Sequence, residues 1–127
     1  MDVDALLFFD KNPGTVPLYA AFDEALEARF GPQKPRVQKT QITYGNPKVY
    51  ACVSLTKGKK KGWPENGILV TFGLGRRVDA PRIAVAVEPY PGRWTHHVVV
   101  GTTQEIDGEL MGWVEEAYQF ALATRRK

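Results

Sequence analysis

The sequence predicts an α+β domain, a two-layer sandwich in which N-terminal helices and a C-terminal helix pack on one face of a mostly antiparallel five-stranded sheet. Three observations predict it. Apolar residues recur at helical spacing at both ends of the chain, and the period changes to two between Arg36 and Val100. Within that stretch the strands follow one another through turn signals instead of alternating with helices. Such strands pair antiparallel, and helices gathered on one face complete two layers. With 127 residues, 43% of them hydrophobic, the chain has the size of a single domain, residues 1–127, and can fill one core.

The first element is a short helix from Asp4 to Asp10 with an acid in its first turn. Pro13-Gly14 interrupts the chain, and Thr15-Val16-Pro17 offers the start of a longer helix, because a first turn accommodates proline. Leu18, Phe22, Ala25, Leu26 and Phe30 share one face of that helix, while Asp23, Glu24 and Glu27 fall mainly on the solvent side. Gly31-Pro32 supplies the stop.

Strands are predicted near Val37 to Tyr44, Val49 to Leu55, Ile68 to Phe72, Ile83 to Val87 and Thr95 to Val100. The Gly45-Asn46-Pro47 turn makes the first two a hairpin, and a lysine-rich loop up to Gly67 joins the second to the third. Val49, Ala51, Val53 and Leu55 form an apolar row, as do Ile68, Val70, Phe72 and Leu74, and Ile83, Val85 and Val87. The cover for these rows is the last helix, with Asp107 as N-cap and Leu110, Trp113, Val114, Ala117, Tyr118 and Ala121 as its apolar stripe.

The charge of +3, from 17 basic and 14 acidic residues, permits an anionic partner without demanding one. Lys57, Lys59, Lys60 and Lys61 cluster beside Trp63, Arg76 adjoins Arg77, and Arg125-Arg126-Lys127 ends the sequence. No apolar run approaches the roughly 18 residues of a membrane span, and the acidic start at Met1-Asp2-Val3-Asp4 is unlike a secretory leader, so a cytoplasmic location without a membrane partner is expected. The lone Cys52 agrees with a reducing compartment.

The chemical signal is concentrated in Gly92-Arg93-Trp94-Thr95-His96-His97. Adjacent strand residues point to opposite faces, so the two histidines cannot form one site. His96 shares its face with Trp94, Val98 and Val100 and reads as a core residue, whereas His97 shares its face with Arg93 and is the available imidazole. In a continuous strand Lys39, Gln41 and Thr43 also share one face, and Lys39, Gln41, Arg93 and His97 would converge on a polar groove if the two strands lie close. No zinc or calcium ligand pattern and no nucleophile elbow is present, so neither a metal nor a cofactor is called for. Cys52 reads as a small buried strand residue, and Gly73-Leu74-Gly75-Arg76-Arg77 as a turn, since it lacks the third glycine and the helix of a dinucleotide loop.

Several stretches together resemble a known family: Phe8-Phe9, Leu18 to Phe22, Lys39 to Ile42 (K-T-Q-I), Gly92 to His97 (G-R-W-T-H-H) and Ile106 to Tyr118. The family is a bacterial one classified only as a domain of unknown function, found as small stand-alone proteins and as the C-terminal part of chains labelled predicted transport proteins. It is similar to YdhG-like α+β domains. The resemblance implies the two-layer architecture, and it implies that Lys39, Gln41, Arg93 and both histidines are family features. It carries no activity with it. The lysines from Lys57 to Lys61 depart from the family's more compact hairpin.

These observations lead to a non-enzymatic domain whose groove of Lys39, Gln41, Arg93 and His97 binds a small anionic or polar ligand or a protein partner. A second reading is a hydrolase or transferase with His97 as general acid or base, oriented by Glu88, Asp107 or Glu109. A third is association with nucleic acid through Lys57 to Lys61, and a fourth is a homodimer that buries Tyr50, Leu69 and Val99 on an uncovered sheet face.

Overall fold

A computed structural model describes residues 3–10, 12–45, 48–57 and 60–124. Helix α1 (Val3–Phe9) leads through a 3-10 turn at Pro13–Thr15 into α2 (Val16–Phe30). Six strands follow: β1 (Arg36–Val37), β2 (Ile42–Tyr44), β3 (Ala51–Leu55), β4 (Ile68–Leu74), β5 (Ile83–Tyr90) and β6 (Arg93–Val100). A 3-10 turn at Thr103–Glu105 precedes α3 (Gly108–Thr124). The sheet order is β1-β2-β3-β4-β6-β5, with every neighbouring pair antiparallel. The α+β class is as predicted, and no helix among the described residues is long and apolar enough to cross a membrane.

The sheet has six strands, not five, because the stretch from Val37 to Tyr44 reverses on itself. Arg36 pairs with Thr43 and Val37 with Ile42, and the Gln38 N–H donates to the Gln41 carbonyl at 2.9 Å to close the turn between them. Side chains stabilise the reversal: the Thr43 hydroxyl donates to Gln38 Oε1 at 2.6 Å, and Gln41 Nε2 donates to the same oxygen at 3.2 Å. Polar residues between Gln38 and Gln41 have no apolar face to bury, so a tight turn costs them less than a continued strand. The Asn46-Pro47 part of the next predicted turn lies outside the described residues.

The period-two pattern sorts the strands into two faces. Ile42, Val53, Val70 and Val98 align across four strands, and so do Tyr44, Ala51, Phe72 and His96; all eight are buried beneath the helices. Leu110, Met111, Val114, Ala117 and Ala121 of α3 join Leu18, Phe22 and Leu26 of α2 in the same core. Fully burying one such leucine or phenylalanine is worth about 1.5–3 kcal/mol, so the cover of helices is the main source of stability. Asp107 caps α3 as predicted, accepting the Leu110 N–H at 3.0 Å, and Arg82 donates to Asp107 at 2.7 Å and to Glu109 at 3.2 Å. That N–H and the guanidinium hold the Asp107 carboxyl below the usual carboxylate range. Gly31 ends α2 at φ 82°, a left-handed value that a side chain resists.

Asp23 departs from the amphipathic pattern. It is buried, not on the solvent side of α2, and accepts a hydrogen bond from the Tyr44 hydroxyl at 2.8 Å. The Tyr19 and Tyr44 hydroxyls lie 2.7 Å apart, so one carboxylate and two phenols form a continuous buried chain. Burial and these neighbours push the Tyr44 phenol far above its ordinary value, which keeps it a donor.

His96 is the core histidine that the pattern predicts, with 0% exposure. Its Nε2 accepts the Val78 N–H at 2.9 Å, so the ring proton resides on Nδ1, which makes no well-formed hydrogen bond among the described residues. The ring stacks on Phe72 at 5.3 Å. Because β5 lies outside β6, the connection from β4 to β5 passes over the helix-side face of β6, and this brings Val78 over the imidazole. Burial pushes the His96 pKa below its ordinary value, aided by Arg76 and His97 and opposed by the Trp94 backbone and Glu116.

These buried groups make two expectations testable. Tyr44→Phe leaves Asp23 without its phenol donor and should cost about 1–3 kcal/mol in urea denaturation, more than Tyr19→Phe, which keeps the Tyr44 to Asp23 bond. Equal stability of Tyr44→Phe and the parent would show that the chain of hydroxyls contributes nothing. For His96, the unfolded chain takes up a proton near pH 6.5 that the folded chain takes up only at lower pH, so this contribution to stability is complete above about pH 6.5 and is lost as pH falls. His96→Gln keeps an acceptor for Val78 without titrating; it should flatten the fall in Tm between about pH 7 and 5, and an unchanged slope would remove His96 as its cause.

Candidate functional site

The face of the sheet opposite the helices carries the polar row. Thr43, Cys52, Thr71 and His97 align in register across β2, β3, β4 and β6. The Thr71 hydroxyl and His97 Nδ1 are 2.9 Å apart, and Gln41 Nε2 donates to Thr43 Oγ1 at 3.2 Å and to Cys52 Sγ at 3.5 Å. His97 is half-buried, in contrast to the fully enclosed His96. The adjacent histidines thus divide between the two faces, as strand alternation requires.

Arg93 joins this row through its reach. Its guanidinium lies directly on Gly73 of β4, in space that the Cβ of any other residue at that position would occupy. The missing side chain therefore makes the seat. Gly73, the penultimate residue of β4, stands diagonally across from Cys52, so the cation sits at the end of the row. Arg93 has no ion pair and no hydrogen bond among the described residues, whereas Arg29, Arg76, Arg77 and Arg82 each pair with a carboxylate.

The predicted foursome is only partly gathered. Gln41 and Arg93 lie about six residues apart along the ladder, about 20 Å at a strand's rise, and three strands apart across it, about 14 Å, though their side chains reach Cys52 and Gly73. Lys39 is exposed at the turn between β1 and β2, farther from Arg93 than Gln41 is. The shared strand face that would have aimed Lys39 at the groove does not exist, because the chain reverses there.

Burial raises the Cys52 pKa, opposed by Thr43, Arg93 and Arg36, so Cys52 is held as the thiol. Thr71 stands on the strand between Cys52 and His97, which keeps them from pairing directly. The carboxylates that would orient His97 are engaged elsewhere: Glu88 accepts the Gly92 N–H at 3.2 Å, and Asp107 and Glu109 hold Arg82. Among the described residues no group of three or more metal-ligating side chains is formed.

Two other clusters are placed apart from the row. Lys60 lies 5.8 Å from the Trp63 ring in the β3–β4 connection, at the end of the sheet opposite Arg93; Lys59, like Arg125-Arg126-Lys127, lies outside the described residues. Arg76 forms a two-point contact with Glu116 at 2.8 Å, and Arg77 pairs with Asp79 at 3.0 Å and lies over Trp94. Of the residues expected between subunits, Tyr50 is in the core against Phe30 and Tyr118, Leu69 is already buried, and Val99 is half-buried.

A feature that carries no motif lies at the Arg93 end of the sheet. A cleft of about 290 Å³ is lined by Lys48, Val49, Tyr90, Gly92, Arg93 and Phe120. A second cavity of about 170 Å³ adjoins it, with Gln33, Gly45, Tyr50, Tyr118 and Leu122 in its walls; Lys48 and Ala121 line both. Gly45 has φ 121°, and a Cβ there would strike the Lys48 carbonyl, so only glycine closes this bend. The one signal in the sequence is Gly73, which reads as the start of a turn but lies within β4, where a glycine admits the close approach of another group.

No curated protein and no solved structure matches the chain. A family model described as a domain of unknown function, DUF5655, matches residues 7–121. That match runs from α1 into the last turns of α3 and takes in the polar row, its Arg93 seat and most of the cavity walls; the chain belongs to the DUF5655 family.

Proposed function

We propose that this domain binds a small oxyanion, with Arg93 as the charge anchor and the Thr71–His97 pair as its polar neighbour. One observation carries the reading: the half-buried Arg93 rests on Gly73 with no carboxylate partner among the described residues, although Arg29, Arg76, Arg77 and Arg82 have each found theirs. A guanidinium presents a planar fork of donors that fits carboxylate and phosphate oxygens at two points. Lys48 adds a second cation to the adjoining cleft, and no acidic side chain among the described residues lines it. Gln41 forms the far wall of the row through Cys52, while Lys39 contributes only to the long-range positive field. Binding, not turnover, suits a row whose thiol is held neutral and whose imidazole is bonded to a threonine. The cytoplasm, where Cys52 stays reduced, is the compartment we assign to it.

The test is calorimetric titration with inorganic phosphate and with acetate at low salt. Arg93→Gln should weaken binding about tenfold or more, as expected for loss of a charged hydrogen-bond donor. Gly73→Ala keeps the charge but displaces the guanidinium; it should weaken binding as well, with folding stability changed by no more than about 1 kcal/mol. Lys39→Gln should leave affinity within about twofold, as a screened surface charge does. Anion binding that survives Arg93→Gln would refute the assignment.

A further inference from the structure

Resting on the anion reading above, we infer that the natural ligand carries its oxyanion on a short aromatic body, and that the body occupies the cavity walled by Tyr50 and Tyr118. The two voids are neighbours, with Lys48 and Ala121 in the walls of both, so one molecule can occupy them together. Their character differs. The larger cleft holds Lys48 and Arg93 with no acidic lining residue among those described, and charge complementarity selects an anion there.

The smaller cavity sets aromatic rings beside polar groups, among them the Lys48 ammonium and the Tyr118 hydroxyl. Tyr50 donates its hydroxyl to Gln33 Oε1 at 2.7 Å, and Gln33 Nε2 donates in turn to the carbonyls of Gly31 and Pro32, so both polar side chains are satisfied internally. Tyr50 and Tyr118 meet edge to face at 5.1 Å, and Phe30 stacks on Tyr118 at 4.1 Å. A flat ring extends such an array by an edge-to-face or offset contact, which an aliphatic chain cannot make. The larger cleft lies near the lower bound of roughly 300 Å³ for small-molecule sites, and the adjoining cavity brings the pair within that range.

The experiment titrates the full chain calorimetrically with two matched pairs, inorganic phosphate with phenyl phosphate and acetate with benzoate. In at least one pair the ring should improve affinity about tenfold or more, and the pair that shows the gain identifies the head group. Leu122→Trp places an indole in the cavity from an exposed position. It should abolish the gain and leave the simple anion's affinity unchanged, while saturation transfer in the parent protein should connect the ligand ring to the Tyr50 and Tyr118 rings. A gain well below tenfold in both pairs, or one untouched by Leu122→Trp and without transfer to those tyrosines, overturns the inference. If the simple anions bind through Arg93 and the ring adds nothing, the anion reading stands and this one falls. If none of the four compounds binds, both fall.

Discussion

The ladder between β4 and β6 sets the rest of the molecule in place. It runs from Ile68 opposite Val100 to Leu74 opposite Trp94 in the interior of the sheet, and every residue along it is assigned a face by its register. Pairing Phe72 with His96 sends that imidazole beneath the helices; pairing Thr71 with His97 sends the next one to the opposite face. A slip of one residue would exchange the two, burying the hydrogen-bonded polar row and exposing the core. The same register lets Arg93 reach across to Gly73, so the core and the candidate site have a common origin.

The core under the helices is not wholly apolar, and its polar groups are tied to particular partners. Asp23, Tyr44 and Tyr19 link α2 to β2, while the Val78 N–H and His96 link the crossing β4–β5 connection to β6. Such bonds add modest net stability, but leaving one partner alone in a dry interior is costly. They therefore select the arrangement of elements as much as they strengthen it. Arg82 does the same at the surface, joining the start of β5 to the capped end of α3.

On the other face, the absence of a side chain matters as much as the side chains present. Gly73, near the end of β4, admits the Arg93 guanidinium onto the open face of the sheet. At the sheet's end Gly45 permits a bend that no other residue could adopt, and this bend brings Lys48 to the wall shared by the two cavities. Lys48 and Arg93 are thereby brought to one end of the molecule, next to exposed aromatic surface at Tyr90. Lys60 and Trp63 lie at the other end and form a separate feature.

The amino-acid sequence by itself determined the class of fold, the apolar stripe of α3, the Asp107 cap, the Gly31-Pro32 stop and the division of His96 from His97. All of these are local: a period, a cap or an alternation is written in residues close together in the chain. Strand order, the reversal between Val37 and Ile42, the burial of Asp23 and the meeting of Arg93 with Gly73 were decided only by the tertiary structure. Periodicity tells which face a residue occupies, but not which strand lies beside it. Lys39 shows the difference: alternation read it as a strand residue, but it lies in a turn that depends on Gln38, Gln41 and Thr43 finding one another in space. Lys48 carried no signal at all, because a lone lysine after a turn becomes part of a cavity wall only when α3 and the β5–β6 turn are brought against it.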